Sequence, residues 1–346
     1  MRKKLFMAPI IMLLMLMGTE QVQASKLTII HSNDLHSHLL GAPANLDYTP
    51  ETTGDDKTLG GWARIATVIK NVKQDRSNPV LVLDAGDFLM GSLFHLLSRE
   101  EAFELRLLKS MGYDVVTLGN HEFDLKPAGL ARILTAAEKY QGLPTLVCSN
   151  LVFNPDQDSD DALQRVFERG LIKPFTIMER DGLRIGLFGL VGLDAAEVAP
   201  FASPVKFKDP VETAMEMVDT LRRTEKVDLV ICLSHSGLSS DPKHSEDELL
   251  AQKVNGIDII ISGHTHTKLS HVLKVNNTLI VQSWEYGKQL GILDVAFEGN
   301  SLTLEKYQPI AISDQILGDK KTSQLIQTFK NRIEQQILTD LDLNFD

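Results

Sequence analysis

The 346 residues are 43% apolar and 23% charged, which suffices to bury a substantial core in one large domain or two ordinary ones. The formal net charge is −11, and an acidic surface argues against a nucleic-acid polymer as the main partner. It leaves room for a small anionic substrate, because metal ions can reverse the field inside a cleft.

The chain opens with Arg2, Lys3 and Lys4, an apolar run from Leu5 to Gly18, and Val22-Gln23-Ala24 before Ser25. A basic start, a short apolar stretch and small or β-branched residues at −3 and −1 describe a signal peptide over 1–24. The run is short for a bilayer span, so a periplasmic or secreted protein with no membrane contact after cleavage is expected.

From there apolar strands and amphipathic helices alternate. Leu27–Ile30 reads as a strand, 41–59 as a loop, and Trp62–Val72 as a helix with Trp62, Ile65, Ala66 and Ile69 on one face. Pro79–Leu83 is a strand, Arg99–Ser110 a helix stopped by Gly112, Val115–Leu118 a strand, Leu130–Tyr140 a helix, and Leu146–Ser149 a strand. Residues 152–165 read as an acidic surface loop. Phe175–Glu179 and Leu183–Leu190 flank Asp181-Gly182 as a hairpin. Val211–Arg223 and Asp247–Val254 read as helices, and Leu229–Leu233 and Ile257–Ile261 as strands. Strands at Val272–Val275, Thr278–Gln282 and Ile292–Phe297 follow. The expected class is α/β with a mixed sheet system.

Polar clusters follow these strands at their carboxyl ends: Asp34 and His36, Asp87, Asn120 and His121, His235, and His264 with His266. Ligands of α/β folds gather at such ends. Asp34 and His36 are two apart, as are His264 and His266, and on extended backbone each pair shares a face. Imidazole with carboxylate suits Zn, Mn, Fe or Co, and an Asp can bridge two such ions. Two divalent ions offset by Asp34, Asp87 and a bridging hydroxide keep a net charge of about +1, which attracts a phosphate dianion. Taken singly, a Gly-Asp pair is a turn and a strand-end His an ordinary hydrogen-bonded residue; the ordered conjunction is what is specific.

Asp34-x-His36, Gly86-Asp87, Gly119-Asn120-His121-Glu122-Phe123-Asp124, Ser234-His235 and Gly263-His264-Thr265-His266 resemble the calcineurin-like metallophosphoesterase signature. The runs Asn33-Asp34-Leu35-His36-Ser37-His38 and Gly119 to Asp124 narrow the resemblance to the 5'-nucleotidase branch, over about Lys26 to Ile312. It implies a four-layer metallophosphatase fold, two mixed β-sheets sandwiched between helices. It implies two divalent metal ions, one on Asp34, His36, Asp87 and His266, the other on Asp87, Asn120, His235 and His264. His121 would contact the phosphoryl oxygen, oriented by Asp124. The expected reaction is hydrolysis of nucleotides or related phosphate esters by metal-bound hydroxide. That branch also holds cyclic phosphodiesterases and thiosulfohydrolases, which these ligands do not separate.

Other residues draw plainer readings. Asp84 and His38 are expected to support the ligands, Gly60-Gly61-Trp62-Ala63-Arg64 to position a loop, and His31, His95, His244 and His271 to take no part. Cys148 and Cys232 sit in strand-like runs and read as two buried thiols. The phosphoesterase domain is expected over 25–312, with a connecting helix and tail over 313–346. Thr322–Leu338 shows an apolar stripe at Leu325, Ile326, Phe329, Ile333 and Ile337. In the family such a helix leads to a second, substrate-recognising domain, which is expected to be absent here. An open, tolerant site is therefore expected, and the stripe either packs back on the domain or meets a partner chain.

Overall fold

A computed structural model of the protein describes residues 24–43, 45–299, 301–343 and 345. The leader expected over 1–24 lies, but for Ala24, outside the described residues. No helix among the described residues is long and apolar enough to cross a membrane.

In chain order the first half runs β1 (Ser25–Ser32), α1 (Trp62–Asp75), β2 (Val80–Asp84), α2 (Ser98–Glu101), α3 (Phe103–Met111), β3 (Val115–Thr117), α4 (Lys126–Lys139), β4 (Thr145–Val147), β5 (Leu151–Val152), α5 (Asp161–Glu168) and β6 (Ile172–Lys173). The second runs β7 (Phe175–Arg180), β8 (Leu183–Val191), α6 (Leu193–Glu197), β9 (Lys206–Phe207), α7 (Pro210–Asp219), β10 (Leu229–His235), α8 (Glu246–Lys253), β11 (Ile259–Ser262), β12 (Leu273–Val275), β13 (Thr278–Val281), β14 (Gln289–Glu298), β15 (Ser301–Ala311) and α9 (Lys320–Ile333).

Two mixed sheets face each other, in the orders β15-β14-β1-β2-β3-β4-β6 and β12-β13-β11-β10-β8-β7. Period-2 alternation in the central strands builds the layers. Leu229, Ile231 and Leu233 of β10 point between the sheets and meet Leu27, Ile29, Leu81 and Leu83 of β1 and β2. Val230 and Cys232 point the other way, into the layer with Ala214 and Val218 of α7 and Leu250 of α8. Ile30 and Val82 leave their sheet on its far side, toward Ile65, Leu105 and Leu134 on α1, α3 and α4. This is the four-layer α/β sandwich that the strand runs and the resemblance predict. Strands covered on both faces are apolar throughout, which makes them legible. Both cysteines are buried free thiols.

Three departures from the sequence reading have a plain physical reason, beside the short elements β6, α6 and β9, which it does not contain. Residues 152–165 are not one loop: β5 and α5 occupy much of them. The acidic stretch before α5 masks Leu163 and Val166, which are buried beneath it. The helix expected over Arg99–Ser110 is two, broken at Ala102, whose φ of 47° swings the chain so that Phe103 enters the core. The strand β15 is absent from the reading because most of it is exposed. It forms a sheet edge, where Pro309 costs no ladder bond, and Glu305 and Lys306 guard it against further pairing.

The apolar stripe of α9 is covered by the domain itself. Ile326, Phe329 and Ile333 are buried, and Phe329 stacks on Phe103 with ring centroids 3.9 Å apart. The Gly60–Arg64 segment is likewise structural. Gly61 precedes α1 with φ 89°, Trp62 is fully buried, and the buried Arg64 forms an ion pair with Asp56 and donates to Thr58 Oγ1.

Candidate metal centre

The parallel strands of the two sheets end on one common edge of the sandwich. Asp34 and His36 follow β1, Asp87 follows β2, Asn120 and His121 follow β3, His235 ends β10, and His264 and His266 follow β11. All of these residues come together there. Three overlapping groups have ligand atoms within 4.8 Å of one another: Asp34, His36 and His266; His36, Asp87 and His121; Asp87, His235 and His264. His36 is common to the first two groups and Asp87 to the last two.

The convergence is not achieved by extended backbone. Asp34, His36, Asp87, His264 and His266 all adopt left-handed backbone, with φ between 48° and 73°. Such residues are uncommon outside glycine and cost on the order of 1 kcal/mol or more each. The expectation that each x-spaced pair shares a strand face is corrected: the chain curls at each strand end. Backbone hydrogen bonds hold the curls, from Asp34 N–H to Gly86 O at 2.9 Å and from His36 N–H to Asp87 O at 2.9 Å. Gly119 leaves no space for a side chain, since a Cβ there would overlap Asp87 Oδ1 and the His235 ring.

Side-chain distances describe a tight polar cluster. His36 Nε2 lies 3.2 Å from His266 Nε2, and His266 Nε2 lies 3.5 Å from Asp34 Oδ1. His235 Nε2 lies 3.0 Å from Asp87 Oδ2 and 3.2 Å from Asn120 Oδ1. Its Nδ1 donates to Ala85 O at 2.7 Å, which fixes the tautomer and turns Nε2 to the centre. Burial opposes a charge on His235, yet the adjacent Asp87 carboxylate pushes its pKa up to about 10. Asp87 shifts the other way, below the carboxylate range, because the histidine charges outweigh its burial. Burial lowers the pKa of His36. Two buried carboxylates thus draw positive charge to this point. Four imidazoles, two carboxylates and an amide oxygen at such spacing fit divalent transition-metal ions.

His121 and Asp124 sit at the rim. Asp124 Oδ2 lies 2.6 Å from His121 Nδ1, and that hydrogen bond is the main cause of a His121 pKa raised to about 9. Both line a cleft of about 500 Å³ with His36, Asp87, Asn120 and His264. A larger cavity of about 690 Å³, bounded by Leu39, Tyr48 and Phe94, adjoins it across His38 and Gly91 and contains none of the ligand-type residues.

The supporting residues fall where their positions suggest. Asp84 is buried, accepts from Ser32 Oγ at 2.6 Å and from Gly86 N–H at 3.0 Å, and is pushed up to about pKa 7 by burial. The His38 ring lies against Tyr286 at 4.1 Å. His31 is buried and stacks on Tyr307, away from the ligands.

Four residues near the centre carry no role in the sequence reading. Glu122 accepts from the N–H groups of Asp87, Leu89 and Gly119, although it stands inside the Gly-Asn-His-Glu-Phe-Asp run. Asp194 of α6 reaches His264, Glu285 reaches His266, and Tyr286 N–H donates to Asp34 O at 2.7 Å. The last three lie far from the motif runs in sequence, and only the Gly-Lys that follows Glu285-Tyr286 marks a turn there.

The family model described as calcineurin-like phosphoesterase matches residues 27–268. The chain is 32% identical over 331 residues to the trifunctional nucleotide phosphoesterase protein YfkN of Bacillus subtilis, covering 89% of this chain and 21% of that protein. It is 34% identical over 293 residues to a probable 5'-nucleotidase of Treponema pallidum, covering 79% of this chain and 45% of that one. The solved structure of a 5'-nucleotidase precursor from Thermus thermophilus superposes with a TM-score of 0.73 at 28% identity, covering 90% of this chain and 59% of that one. The chain thus spans less than two thirds of each of these relatives.

Proposed function

The chain belongs to the calcineurin-like phosphoesterase family, and from that premise we propose that it is an exported hydrolase of nucleotides or related phosphate esters that works with two divalent metal ions. The observation that carries this reading is the convergence of seven ligand-type side chains from five strand ends, with the His121–Asp124 pair at the rim of the same cleft.

Asp34, His36, Asp87 and His266 would hold one ion, and Asp87, Asn120, His235 and His264 the other. When bound, such a pair supplies Lewis acidity at the phosphoryl oxygens and a water nucleophile active at neutral pH. The chain's own residues do the rest. Asp124 holds Nδ1 of His121, which fixes the ring and favours its protonated form. Nε2–H of His121 then donates to a phosphoryl oxygen as negative charge builds there. The ligand residues would place the ions beside this donor, and on this reading water attacks phosphorus directly, displacing the ester oxygen without a phosphorylated side chain. Relatives named as nucleotide phosphoesterases and 5'-nucleotidases support a nucleotide as substrate.

The test is phosphate release by the purified chain from AMP, a UDP-sugar, 2',3'-cyclic AMP and p-nitrophenyl phosphate, with chelator and then with Mn or Zn restored. Metal-restored release from AMP is expected. Absence of any release with two ions demonstrably bound would overturn the reading.

A further inference from the structure

Two of the ligand-type histidines are backed by carboxylates. His266 turns Nε2 to the centre, and its other nitrogen, Nδ1, lies 2.8 Å from Glu285 Oε2. His264 has Nε2 at 2.8 Å from Asp194 Oδ2, which leaves Nδ1 for the Asp87 and His235 side. His235 is backed instead by a backbone carbonyl.

Each carboxylate is itself held. Lys288 Nζ lies 2.6 Å from Glu285 Oε1, and the turn carrying Glu285 is tied to β1 through Asn33 Nδ2 donating to Trp284 O at 2.6 Å. Asp194 lies in the first turn of α6, where Leu193 and Asp194 donate their N–H groups to Glu246 at 2.8 and 2.9 Å. Glu285 is mostly buried, whereas Asp194 is 66% exposed.

We infer that Glu285 and Asp194 are positioning residues, each setting the affinity of a different one of the two metal positions by orienting and polarising a single histidine. The inference rests on the two-metal reading above. A carboxylate on the far nitrogen fixes the tautomer and makes the facing nitrogen a stronger donor, and losing such a partner weakens metal binding by about 10- to 100-fold. Glu285 acts through His266 on the position shared with Asp34 and His36. Asp194 acts through His264 on the position shared with Asn120 and His235.

The test is calorimetric titration of Zn and Mn into the chelator-stripped full chain, with Co absorption spectra recorded alongside. Glu285→Ala and Asp194→Ala are each expected to weaken one binding step by about 10- to 100-fold and to leave the other in place. The Co bands should change differently in the two variants, melting temperatures in chelator should match wild type, and Asp194→Glu should recover most of the lost affinity. Wild-type protein that binds fewer than two ions would sink the two-metal reading itself. Wild type that binds two, with both steps unchanged in the variants, would overturn the positioning roles alone.

Discussion

Asp124 and His121 stand one helical turn apart, with a 2.6 Å hydrogen bond from His121 Nδ1–H to the Asp124 carboxylate, and His121 is the more exposed of the two. The pair therefore presents an oriented, readily protonated imidazole to the cleft while neither residue needs to bind an ion. His121→Ala should lower kcat by about 10²- to 10⁴-fold with both ions retained. Asp124→Asn keeps the shape and removes the charge, and a loss of about 10- to 100-fold is expected. Metal analysis beside the kinetics decides the point, since loss of metal from His121→Ala would end its assignment as a substrate-facing group.

Asp87 belongs to two of the three overlapping groups, 3.0 Å from His235 Nε2 and 3.8 Å from His36 Nε2. Asp87→Ala should therefore release ions from both positions together, whereas a change at Asn120 should disturb one. Metal content after gel filtration is the measurement. Retention of one full equivalent in Asp87→Ala would show that the carboxylate does not bridge.

Phe329 is fully buried against Phe103. Its truncation to Ala should cost about 3–5 kcal/mol of stability, read from urea unfolding of the whole chain. A cost below about 1 kcal/mol would mean that α9 is only loosely applied to the core.

Asp247 is buried on α8, accepts from Gly237 N–H at 3.2 Å, and burial pushes its pKa from 3.8 up to about 7. The folded chain then holds a proton that the unfolded chain has already released between those values. Stability contributed at this residue is complete below pH 4 and falls by up to ~1.4 kcal/mol per unit as pH rises to about 7. Asp247→Asn should remove that slope, so its stability relative to wild type should rise from pH 5 to pH 8. A constant difference across the range would show that Asp247 is ionised in the folded state.

The strand-end clusters were legible because their strands are continuous apolar runs, and a polar residue after such a run is conspicuous. Seven ligand-type positions stood out for that reason. The left-handed turns were not, because Asp34 or His264 in a sequence does not announce the sign of its φ, and the tie that holds each curl comes from another strand's loop. Asp194 and Glu285 were invisible for a related reason: each is an ordinary acidic residue whose histidine partner is remote in sequence, 70 residues away for Asp194 and beyond both β12 and β13 for Glu285. The same logic separates the elements. Buried strands such as β10 declared themselves, while exposed β15 and the acid-fronted α5 did not.

Glu122 gathers three main-chain donors, from Gly119 on one loop and from Asp87 and Leu89 on the next. The spacing between two strand ends is thereby held from behind by one sequestered carboxyl, alongside the Asp87 carboxylate on the cleft side, which accepts from His121 N–H at 2.9 Å. A cleft-facing side chain that makes no such main-chain bond, His36 among them, can change without freeing these amides. Position 122 has no such latitude, because replacing it would strand three amides at once in the interior.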